Sequence, residues 1–77
     1  MDIKLKVGLR IKELRKKSML TQESLAFKAG MDKTYVNEVE NGKRNISIVN
    51  LEKLITALNV SIIAFFNSSN FLNNEEI

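Results

Sequence analysis

The chain has 77 residues, a net charge of +3, and no Cys, His or Pro. That length allows one domain with a small core, and the missing residue types exclude a disulfide framework, a Cys/His zinc site and a histidine acid/base pair. Oligomerisation is the remaining way to supplement the core, and the lack of any apolar run near the ~20 residues that span a membrane predicts a cytoplasmic protein.

Side chains that cap helix amino termini recur ahead of each apolar-periodic segment, and strand-like alternation is rare, so the expected class is all-α with five helices. Asp2 caps a first helix running to about Lys17, with Val7, Ile11 and Leu14 on one stripe. Gly8 lies inside it and is expected to cost about 1 kcal/mol relative to Ala, loosening the first turn. Thr21 caps a second helix, Gln22 to Ala29, closed by Gly30 in the left-handed conformation. Asp32 caps a third, Lys33 to about Asn41, followed by Gly42. Ser47 caps a fourth, Ile48 to Leu58, burying Leu51, Leu54, Ile55 and Leu58, with Asn59 as its left-handed stop. Ser61 caps a short fifth, Ile62 to Phe66. The domain therefore spans 1–66, and the polar stretch 67–77 is expected to fray.

Charge divides the chain at an earlier point, inside the domain. Residues 1–46 carry eleven of the twelve Lys and Arg against six acids, whereas residues 47–77 carry Lys53 against Glu52, Glu75 and Glu76. A basic first half suits a polyanionic partner, and an apolar second half suits a different task.

The segment Gln22 to Gly42 carries the functional signal. Ala26 is small where two helices would cross, Gly30 permits a sharp turn, and Met31, Val36 and Val39 point back into the core. With Val36 and Val39 inward, the 100° rotation per residue turns Thr34, Asn37, Glu38 and Asn41 outward, with Lys33 at the edge. Such a face suits major-groove readout: Lys33 can donate to guanine, Asn37 can pair with adenine, and Thr34 can meet a thymine methyl or a phosphate. Backbone-contact candidates frame it. Gln22 stands at the start of the second helix, Tyr35 flanks the third, and Arg44 and Asn45 follow Gly42; Lys43 and Arg15 are further candidates. Glu38 has no assigned role, since a carboxylate repels phosphate unless it accepts from cytosine or pairs with a neighbouring cation.

Gln22, Ala26, Gly30, Val36 and Val39 fall on the pattern of the lambda repressor and Cro helix-turn-helix superfamily, which this chain resembles from about Gly8 to Phe66. The fifth helix, Ile62-Ile63-Ala64-Phe65-Phe66, is apolar on every side. Its excess surface predicts a homodimer interface made of Ile62, Ile63, Phe65 and Phe66 with Ile55. Together with Asp32-Lys33-Thr34-Tyr35 and Arg44-Asn45, it makes the chain similar to the controller proteins of restriction-modification systems. That resemblance implies a dimer on a double-stranded operator, regulating its own gene and an endonuclease gene as activator and repressor. It also implies base contacts from Lys33 and Thr34, backbone contacts from Gln22, Tyr35, Arg44 and Asn45, and a contact with RNA polymerase for which exposed Glu23 is the candidate. A phage-type repressor or an antitoxin shares these motifs, and a protein-interaction module could reuse the fold. No enzyme, cofactor, metal or small-molecule substrate is expected: Glu38 and Glu40, at i, i+2, point apart.

Overall fold

The computed structural model describes residues 2–72. They form α1 (Ile3–Lys17), α2 (Gln22–Ala29), α3 (Lys33–Glu40), α4 (Ile48–Ala57) and α5 (Ile62–Phe66), followed by a 3₁₀ turn, Ser69–Phe71. Each helix starts where a short polar side chain stands in extended backbone. Asp2 accepts from the Lys4 amide, Ser47 from Asn50 and Ser61 from Ala64, while Thr21 and Ser24 form a reciprocal capping box. Asp32 is the exception. It occupies the cap position of α3 with extended backbone but makes no side-chain cap hydrogen bond.

The ends of α1 to α4 share one device. At Gly30, Gly42 and Asn59 the chain turns left-handed, with φ of 69°, 71° and 59°. In each case the amide of the next residue reaches back to a carbonyl of the last turn: Met31 to Ala26, Lys43 to Glu38, Val60 to Ile55. Met19 closes α1 in the same way at φ 58°, with the Leu20 amide bonded to the Arg15 carbonyl, although Met has no steric licence for that conformation.

Ile11, Leu25, Val36, Val39, Leu54 and Phe65 are fully buried and form the centre of one core. α3 lies across α1 and α2, α4 packs on α2, and α5 on α4. Gly8 is not a weak point of α1. A Cβ there would collide with the Val39 carbonyl oxygen and lie 2.7 Å from that of Glu40, so the missing side chain is what lets α1 meet the end of α3.

The packed unit extends past residue 66. The 3₁₀ turn rests on α1 and brings Phe71, half-buried, to ring-centroid distances of 6.0 Å from Phe65 and 4.9 Å from Phe66. The expected fraying therefore does not hold for residues 67–72, because two aromatic residues of α5 give the turn a surface to pack on; residues 73–77 lie outside the described residues. Among the described residues no helix is long and apolar enough to cross a membrane.

Candidate nucleic-acid interface

α2, the turn at Gly30 and α3 form a helix-turn-helix whose crossing is sealed by Leu25, Ala26, Ala29, Val36 and Val39, all buried. Burying Val36 and Val39 fixes the rotation of α3, and its opposite side is polar. Lys33, Thr34 and Asn37 are exposed there, with Lys33 and Thr34 in the first turn of the helix. Lys43 and Asn45 are exposed in the loop that follows α3.

Tyr35 and Arg44 are organised together. The Tyr35 ring is half-buried, its hydroxyl accepts from Asn50 Nδ2 at 3.2 Å, and the Arg44 guanidinium lies 5.0 Å from the ring centroid. Arg44 also donates through Nε to Glu38 Oε1 at 2.9 Å. Glu38 thus faces a neighbouring cation, which makes a carboxylate on this surface tolerable. The pair is exposed and contributes under ~1 kcal/mol of stability. Its effect is to hold Arg44 beside α3.

Gln22 lies at the inner edge of the face. It donates Nε2 to Glu40 Oε1 at 3.0 Å and accepts from Asn37 Nδ2 at 3.3 Å, so it joins a candidate base-contacting residue to the core. Glu23, in the first turn of α2, is exposed where an acid complements the helix dipole.

The structure corrects three expectations. Arg15 does not join the face: it donates Nε to Glu40 Oε2 at 2.6 Å, Nη2 to Glu40 Oε1 at 3.1 Å and Nη1 to the Leu20 carbonyl at 2.9 Å, and is largely buried in doing so. A guanidinium tied into a bidentate interior pair is not available to phosphate. Phe65 and Ile55, expected at a subunit interface, are 0% and 3% exposed and belong to the core of the single chain. A five-residue helix packed on α4 has room to bury one large side chain fully, and Phe65 takes that position. The large apolar side chains left exposed on α5 are Ile62, Ile63 and Phe66, with Ile63 83% exposed.

Two interior charges escaped the sequence analysis. Glu40 is 3% exposed, and Arg10 is buried while donating Nε to the Phe65 carbonyl at 2.7 Å and Nη2 to that of Ala64 at 2.8 Å. The signal was present. Arg10 extends the stripe of Val7, Ile11 and Leu14, and Glu40 stands four residues after Val36 and next to Val39, so helical rotation points both inward.

A helix-turn-helix family model matches residues 11–65, which contain the whole constellation. Control protein C.MunI from a Mycoplasma species is 47% identical over 66 residues, covering 84% of this chain and 89% of that protein. The crystal structure of the restriction-modification controller protein C.AhdI from Aeromonas hydrophila superposes with a TM-score of 0.78 at 48% identity, over 82% of this chain and 96% of that one. The controller protein C.Esp1396I, solved as a tetramer in complex with its natural 35 base-pair operator, gives a TM-score of 0.82 at 38% identity, over 86% and 87% of the two chains. The chain belongs to the helix-turn-helix family and, within it, to the controller proteins of restriction-modification systems.

Proposed function

We propose that this protein is a transcriptional regulator that binds operator DNA as a homodimer and controls its own gene and a restriction endonuclease gene, activating when scarce and repressing when abundant. α3 enters the major groove. Lys33, Thr34 and Asn37 read base edges, while Gln22, Tyr35, Lys43, Arg44 and Asn45 hold the sugar-phosphate backbone and fix register. Ile62, Ile63 and Phe66 cover one another across a two-fold axis, placing the two copies of α3 about 34 Å apart, one turn of DNA. The observation that carries this reading is the exposed polar side of α3, with Lys33 and Thr34 at its leading turn and Arg44 held alongside by Glu38 and Tyr35. A DNA partner places the protein in the cytoplasm.

Footprinting on the DNA immediately upstream of the gene tests the proposal. Two protected half-sites related by a two-fold axis are expected, with affinity falling steeply as salt rises. No protection, or binding indifferent to salt, would refute it and favour a protein-interaction module.

A further inference from the structure

We infer that Glu40 is a positioning residue for base readout: from inside the core it sets which way round the side-chain amides of the α3 face are held. The inference rests on the operator-binding reading above. Glu40 is almost completely buried, and a carboxylate paired with a guanidinium offers acceptors only. Arg15 donates to both of its oxygens, at 2.6 and 3.1 Å, and Gln22 donates Nε2 to Oε1 at 3.0 Å. Since its partner can only accept, Gln22 must meet it with the NH₂ group, which turns Oε1 towards α3. Asn37 meets that oxygen with Nδ2 at 3.3 Å. Its own Oδ1 is left facing Asn41, whose Nδ2 lies 3.4 Å away and is anchored on the Asn37 carbonyl at 2.9 Å. One interior acceptor thus gives the whole row a single direction of donation, from Asn41 through Asn37 and Gln22 to Glu40.

Direction matters for reading a base. An Asn that pairs with adenine must offer oxygen to the N6 amino group and NH₂ to N7, and the flipped amide sets donor against donor and acceptor against acceptor. On a free helix face both orientations are populated, and binding must select one. Here the selection is made beforehand by a residue buried beneath the surface. The outer links of the row, at 3.3 and 3.4 Å, are long enough to yield to a base edge, whereas the inner links to Glu40 are short and interior. A neutral amide in place of Glu40 could meet Gln22 either way round, and the row would lose its direction.

The test compares wild type with Glu40→Gln on a panel containing every single-base substitution of the operator together with random DNA, after Asn37→Ala has identified the base pair that Asn37 reads. Wild type should discriminate at that base pair by about tenfold or more. Glu40→Gln should reduce the discrimination there to within about threefold, leaving the preferences set by Lys33 and Thr34 and the affinity for random DNA within about threefold of wild type. Gln22→Met leaves the Arg15–Glu40 pair in place and guards against a folding failure in the first variant. Normalised to random DNA, its profile should flatten at the same base pair. A wild-type profile in either folded variant overturns the inference, and so does an equal loss at every operator position, which is what lost stability alone would give. If wild type itself fails to bind the operator, the operator-binding reading fails first.

Discussion

Replacing Gly8 by Ala in the middle of α1 should destabilise the protein, against the direction that helix propensity gives. Propensity favours Ala by about 1 kcal/mol at an interior helix position. Opposing it, the new Cβ collides with the carbonyl oxygen of Val39 and would lie 2.7 Å from the Glu40 oxygen and 2.9 Å from the Glu40 carbonyl carbon. These are backbone atoms, which cannot rotate aside as the end of a flexible side chain can. α1 must instead move off α3, loosening contacts among Ile11, Val36 and Val39, all buried. Overpacking of this kind costs about 1–3 kcal/mol, and more where backbone must shift, so the net loss should be about 1–2 kcal/mol. In a domain of this size that lowers Tm by roughly 4–8 °C per kcal/mol. Urea unfolding of both proteins at one fixed concentration measures it, since dimerisation couples apparent stability to concentration. A Gly8→Ala midpoint equal to or above that of wild type would show that α1 and α3 do not meet as closely as described.

The opposite result is expected at Met19, which holds a left-handed conformation at φ 58° and is almost fully exposed. Met19→Gly removes a conformational cost of about 1–2 kcal/mol, partly offset by the greater freedom of Gly in the unfolded chain. A net gain of up to ~1 kcal/mol is expected in denaturant melts, and a lowered midpoint would contradict it. Arg44→Ala should weaken operator and random DNA by a similar factor and reduce the slope of log affinity against log salt by about one. A loss confined to one operator base pair would move Arg44 from backbone holding to base readout. Ile63→Asp should give a folded monomer by sedimentation with its helical circular dichroism retained, because Ile63 stands outside the core. An unchanged dimer would remove Ile63 from the interface.

What the sequence by itself determined is the local structure. Thr21, Ser47 and Ser61 begin helices because a short oxygen side chain satisfies an otherwise free amide. Gly30, Gly42 and Asn59 end them because these residues tolerate positive φ, and the spacing of Val36 and Val39 sets which side of α3 is free. All of these act within a few residues along the chain, so the helix-turn-helix and its exposed Lys33, Thr34 and Asn37 were legible before any coordinates. Tertiary structure decided what lies opposite each face. Helical rotation gives a direction but no neighbour, so Arg15 looked like one more surface cation until Glu40, 25 residues away, proved to hold it inside. Gly8 read as a flaw in a helix until α3 was seen to need its missing side chain, and Phe65 and Ile55 read as a dimer surface until a single chain buried them. Residues 67–72 gave no periodic signal, because one aromatic residue, Phe71, holds them by packing on two others. Each of these outcomes depends on contacts between segments distant in sequence, where shape and charge are matched only after the helices have come together.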